Sequence, residues 1–242
     1  LNPGATSVMV GDVIAGGTGS DITVTASKTL EIRGNLWADN NITVNAGTTP
    51  SAGTDSLRTY GTSSIKTLSG GTITLTSVNN LSVDSQIGPG STGLTSILLQ
   101  STHGSVIVQK TSGRIETGTA LTFAGNDVEI AGVVSSTLAT PSTTDYEVTI
   151  DIAGKATLHG DIQLAGSLLV DASEIEIYDQ NLRLTAPVQR LVLNSSGAVT
   201  IGRVNTLPSG NLQQLGAVVS VPSLTVTAGD KLTVGSGSVI AT

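Results

Sequence analysis

"ITVTASKTLEIRG", residues Ile22 to Gly34, decides how this chain folds. It reads apolar–x–apolar, a small residue, a short polar turn, then apolar–x–apolar again. The alternation has period two, so each half is a strand that buries one side and wets the other. The pattern returns in "ITLTSVNNLSVDS" from Ile73 to Ser85 and in "LTVTAGDKLTVGS" from Leu224 to Ser236. The turn keeps its length. Val24 to Leu30, Leu75 to Leu81 and Val226 to Leu232 are each six positions apart, as are Leu193 and Val199 in "LVLNSSGAVTIG". Self-similarity of this kind marks stacked structural units.

Just upstream, "GGTGSDITV" (Gly16 to Val24) has two readings. One is a calcium-binding nonapeptide, G-G-x-G-x-D-x-U-x, with a large apolar residue at U. The other is a turn that feeds a strand. The U position falls on Thr23, while the apolar Ile22 and Val24 are one place out of phase. The motif also occurs once, and a calcium roll shares each ion between neighbouring copies. The turn-plus-strand reading is preferred, and no metal site is expected. Downstream, weaker copies fill the chain: "SVIVQK" from Ser105, "VEIAG" from Val128, "IQLAG" from Ile162 and "IEIYD" from Ile175 are examples. The step from Ile22 to Ile42, which open "ITVTA" and "ITVNA", sets a coil of about 20 residues.

Short, evenly spaced strands build a sandwich, a barrel or a solenoid. A sandwich has longer strands and a bulky centre. Aromatic residues are only 2% here, with Trp37 the one Trp. A narrow column of stacked Val, Ile, Leu and Ala suits that shortage, because large rings would break its register. The expected fold is all-β: a right-handed parallel β-helix (β-solenoid) of about 20 residues per coil. One solenoid is expected over 1–242, with insertions near 47–64, 135–145 and 203–223. The third carries Leu207, Leu212, Leu215, Val218 and Val219 and is expected to pack along the rod's flank. The pairs Asn40-Asn41, Asn79-Asn80, Asn126-Asp127 and Gln180-Asn181 open strands. They are either ordinary turn residues or rungs of a side-chain amide ladder.

Composition narrows the function classes. The chain has 242 residues, 38% apolar and 12% charged, with 29 Gly and no Cys. Thiolate metal sites and disulfides are excluded. Net charge is −7, and the 11 basic residues are scattered, so a nucleic-acid partner is not expected. No run is long and apolar enough for a membrane-spanning helix, and no membrane insertion is expected. The start lacks a signal peptide pattern. The chain is expected to be a segment of a longer repetitive protein.

Catalytic candidates are few. His103 and His159 are isolated, and "ATLHGDIQLAG" places His159 at a strand end. A carbohydrate-active β-helix enzyme needs carboxylates converging on one outer face. "DYEVTID" offers Asp145, Glu147 and Asp151, and "SEIEIYD" offers Glu174, Glu176 and Asp179. In the second set the acids alternate with Ile175 and Ile177, so Glu174 and Glu176 face water as a solvated strand would. Weak surface calcium binding by these acids lacks the six or more oxygens such a site wants. The repeated T-x-T resembles an ice-binding face, but Glu, Gln or Asp interrupts it. No catalytic residue, cofactor site or metal site is expected, and the chain is read as no enzyme.

"GSDITVTASKTLEIRGNLWADNNITVNAG" (Gly19 to Gly47) resembles the haemagglutinin-type repeats of large bacterial exoproteins. The matching positions are Ser20-Asp21-Ile22-Thr23-Val24-Thr25-Ala26, Leu30-Glu31-Ile32-Arg33-Gly34 and Asn41-Ile42-Thr43-Val44-Asn45-Ala46. "SLTVTAGDKLTVGSGSVIA" is similar, and the coils between match in pattern alone. The resemblance implies a filamentous-haemagglutinin-like protein of Gram-negative bacteria, secreted or at the cell surface. It implies export through an outer-membrane transporter and adhesion to host or neighbouring-cell glycans or proteins. The alternatives are a self-assembling extracellular fibre subunit and the carbohydrate-active enzyme.

Overall fold

Inward side chains dictate the architecture, because each stacks on its counterpart one coil away. The computed structural model describes residues 6–50, 54–89, 95–136, 141–142, 145–206 and 211–242. Those residues contain strands and no helix. The chain winds through three parallel sheets in turn. Sheet A has ten strands, from Ser7–Met9 to Leu232–Val234, and sheet B has ten, from Val13–Ala15 to Val239–Ala241. Sheet C has nine, from Ile22–Ala26 to Leu224–Ala228. At a strand spacing of about 4.8 Å this gives a rod about 43 Å long. The expected β-solenoid is the fold.

One column shows the packing. Ile22, Ile42, Ile73, Ile97, Leu121, Val148, Leu168 and Leu191 stand one above another in sheet C. All eight are buried. The recurrent six-residue spacing is the corner from sheet C to sheet A, where Val24, Leu75 and Leu193 hand over to Leu30, Leu81 and Val199. Coil length is less constant than the first step implies. It runs from 20 residues (Ile22 to Ile42) to 33 (Leu191 to Leu224), because corners absorb extra chain. One ring enters the column after all. Phe123 is fully buried between Leu99 and Ile150, with the register continuous on both sides.

The insertions are shorter than expected and sit at three different corners. Of 47–64, Asp55–Thr59 is a sheet A strand with Leu57 and Thr59 fully buried, and 51–53 lie outside the described residues. Of 135–145, Ser135 still belongs to the strand Val133–Ser136, and 137–140 and 143–144 lie outside the described residues. The third insertion does not pack along the flank. Arg203–Thr206 and Leu212–Leu215 pair antiparallel as a projecting ribbon, and Leu212 is 70% exposed. The two strands bond each other along their inner edges and so hold together away from the flank. Ala217–Ser220 then returns to sheet B, where alternation sends Val219 into the core and Val218 outward. Leu207 lies outside the described residues.

The Asn and Asp residues at strand starts do not form one amide ladder: Asn40-Asn41 and Gln180-Asn181 fall at two other corners, and Asn79-Asn80 and Asn126-Asp127 share the C-to-A corner but stand two coils apart, with the strand from Ser105 between them. They bridge coils in another way: the side-chain oxygen accepts the backbone N–H of the next coil. Asp21 Oδ1 accepts from Asn41 N at 2.9 Å, and Asn41 Oδ1 from Thr72 N at 3.0 Å. Asn80 Oδ1 accepts from Ser105 N at 3.0 Å, and Asp127 Oδ1 from Lys155 N at 2.8 Å. Each bond pairs a donor that the corner would otherwise leave open. Gly16 to Gly19 is a turn, and with Asp21 engaged in this way the nonapeptide behaves as turn plus strand.

Candidate functional site

The two acidic sets picked out of the sequence go to different faces. Asp151 points outward on sheet C, one rung from Asp171. Asp145 sits at the corner before it, where Ser142 Oγ donates to Asp145 Oδ2 at 3.1 Å. Glu147 does not face water. A register shift between Tyr146 and Val148 turns it inward, leaving it 3% exposed. Its carboxylate accepts from Thr117 Oγ1 and from Gly166 N, the latter at 2.5 Å. His103 is a surface residue at the C-to-A corner, with Nδ1 3.0 Å from Thr102 Oγ1.

Glu174, Glu176, Asp179 and His159 do come together, on sheet A and its corner with sheet B. The strands Asp127–Ile130, Lys155–Leu158 and Glu174–Ile177 lie side by side there. Period two places Glu129, Thr157 and Glu176 in one outward column, with Lys155 and Glu174 paired beside it. Lys155 Nζ lies 2.9 Å from Glu174 Oε1 and 2.8 Å from Glu176 Oε2. Glu176 Oε1 is also 3.8 Å from Arg203 Nη1. His159 Nε2 lies 2.9 Å from Glu129 Oε1. The His159 ring stacks on Tyr178 at 5.0 Å and 7°, and the Arg203 guanidinium covers Tyr178 at 4.9 Å. Asp179 reaches Lys110 at 4.0 Å.

Electrostatics follow from these contacts. Burial pulls the Lys155 ammonium down, but its bonds to Glu176 and Glu174 outweigh that, and its pKa lies above the ordinary value. Burial also raises Tyr178. Arg203 opposes that rise, and Glu176 and Glu129 add to it. Glu174 and Glu176 share Lys155, and Glu129 faces His159. An acid–base pair needs one carboxyl with a proton to give and another free to take one. Here Glu174 and Glu176 are engaged with Lys155 and Glu129 with His159, each across coils, which is how a braced surface is built. Glu129, Lys155, Tyr178 and Arg203 were not singled out in the sequence. Only the register of successive coils, 28 residues from Val128 to Ala156 and 19 from Ala156 to Ile175, brings them together.

Among the described residues, no three His, Asp or Glu converge as a metal site. No protein-family model, curated protein or solved structure matches the chain.

Proposed function

We propose that this chain is a rigid, non-catalytic spacer: a β-solenoid segment of a secreted or surface-anchored bacterial adhesin. It holds binding loops or a distal domain away from the cell. One observation carries the mechanical part of the reading. Among the described residues the interior is a single column of packed apolar side chains, bonded coil to coil, which supports a stiff rod and leaves little space for an enclosed active centre. The braced carboxylates of sheet A favour the same reading over a sugar-cleaving enzyme. The bacterial-surface part rests on the likeness of Gly19 to Gly47 to haemagglutinin-type repeats. On that likeness, export through an outer-membrane transporter and contact with surface glycans or proteins belong to the same proposal.

Two measurements test it. Chain displayed in many copies on a non-adherent bacterium is expected to add adhesion to glycans or cells, and no adhesion in any displayed form would remove the adhesin reading. A panel of charged and neutral polysaccharides is expected to stay intact. New reducing ends that vanish in Glu176→Gln would replace the spacer with an enzyme.

A further inference from the structure

The ribbon leaves the rod between Gly202 and Gly216. Its strands pair Arg203 with Leu215 and Thr206 with Leu212. The strand Leu212–Leu215 has Arg203–Thr206 on one edge and no strand on the other among the described residues. A free edge is a template for another strand, and soluble proteins guard such edges with charge or proline. This strand reads Leu212-Gln213-Gln214-Leu215 and has neither. Indeed no charged residue occurs from Val204 to Leu215. Leu212 is 70% exposed and Val204 51%, so apolar area remains to be covered.

The root of the ribbon is held on both sides. Arg203 lies on Tyr178 at 4.9 Å and 3.8 Å from Glu176. Asp179, in the left-handed region at φ 49, donates its N–H to Gly216 O at 2.8 Å. A strand presented in a fixed direction gives up little freedom when it pairs.

We propose that the outer edge of Leu212–Leu215 pairs antiparallel with the same strand of a second copy, joining two rods side by side through a four-stranded sheet. The contact uses one edge of each copy about a two-fold axis, so it closes on itself. Both copies must then turn the same face up, and the register centres on one residue. Centred on Gln213, it sets Gln213 against Gln213 and Leu212 of one copy against Gln214 of the other. Centred on Gln214, it sets Gln214 against Gln214. Neither register opposes like charges, so pairing here adds no local repulsion to that of the two net charges of −7. Four residues a side fall well below the roughly 800 Å² per partner of a stable interface. A contact this small is weak, so the dimer is sought at protein concentrations of about 0.1–1 mM. The proposal stands whether or not the rod is an adhesin.

Sedimentation velocity on the intact chain, from about 10 μM to about 2 mM, tests it across that range. Wild type is expected to pass from monomer to dimer. Gln213→Lys with Gln214→Lys, and Gln213→Glu with Gln214→Glu, put like charges face to face in both registers. Each double variant alone is expected to dimerise at least about tenfold more weakly, with unchanged melting. An equal mixture of the two is expected to recover dimer, now a heterodimer. Monomer throughout in wild type overturns the proposal. So does a dimer indifferent to both double variants, which would place the contact elsewhere, or a mixture that fails to recover it.

Discussion

Phe123→Ala puts the filled column to its most direct test. Phe123 is fully buried in the fifth of the nine strands of sheet C, with Leu99 below it and Ile150 above. Removing a buried ring loses its transfer free energy and leaves a void that a bonded column closes poorly. The cost is about 3–5 kcal/mol. Val226 occupies the same inward column in the last strand and is only partly buried. Val226→Ala should cost about 1 kcal/mol, since fewer contacts are lost there. Phe123→Leu keeps most of the volume and should cost less than about 1.5 kcal/mol. Urea unfolding followed by circular dichroism gives all three numbers. Hydrogen exchange adds the location, because coils touch only their neighbours and the defect should loosen Thr95–Ser101 and Tyr146–Ile152 before either end. Equal costs for Phe123→Ala and Val226→Ala, or loosening confined to the ends, would refute the picture of a continuous load-sharing column.

Glu147→Leu leaves the Gly166 N–H buried without its acceptor and removes the bond from the Thr117 hydroxyl, and should cost about 1–3 kcal/mol in thermal or urea unfolding. Gly71→Ala should destabilise strongly, because φ is +101 there and a Cβ would lie 2.5 Å from Asn40 O; Gly11→Ala, with open space around it, should not change the melting temperature. Lys155 has a folded pKa above its unfolded value, so its contribution is present below the unfolded value and is lost as pH rises through the folded one. Melting temperature should therefore fall more steeply at high alkaline pH in wild type than in Lys155→Met, and a parallel fall would remove the Glu174–Lys155–Glu176 bridge as a stabilising contact.

The fold was legible because its cause is local and repeated. Alternation fixes which side chains face inward, and the six-residue C-to-A corner appears in the sequence as Val24–Leu30 and its copies. What was not legible depends on the offset between coils. Nothing within "EIEIYD" says that Glu176 will meet Lys155, because the partner is set by how many residues the intervening corners consume. The same ignorance made 47–64 look like one insertion, although Leu57 and Thr59 are buried on a strand, Asp55–Thr59, that carries Ser and Thr. Glu147 was misleading for a different reason. A register shift at Tyr146 breaks the alternation on which inward and outward were assigned, and the sequence around it carries no Gly or Pro to announce the shift.

The ends and the ribbon make competing predictions about self-association, and the strand counts separate them. Both end coils expose apolar residues, among them Val13 and Ile14 at one end and Val239 and Ile240 at the other. Head-to-tail stacking would cover them and make a fibre. Yet sheets A and B hold ten strands and sheet C nine among the described residues, with Ile22–Ala26 the outermost strand of sheet C at its end. Setting Leu232–Val234 and Val239–Ala241 on Ser7–Met9 and Val13–Ala15 of another copy would leave Leu224–Ala228 and Ile22–Ala26 one rung apart. A missing rung strands a row of backbone donors and acceptors, each costly to bury unpaired. Lateral pairing through the ribbon meets no such mismatch and stops at two copies. Sedimentation should therefore show a ceiling at dimer, and species that keep growing with concentration would mean that the end coils, not the ribbon, carry the contact.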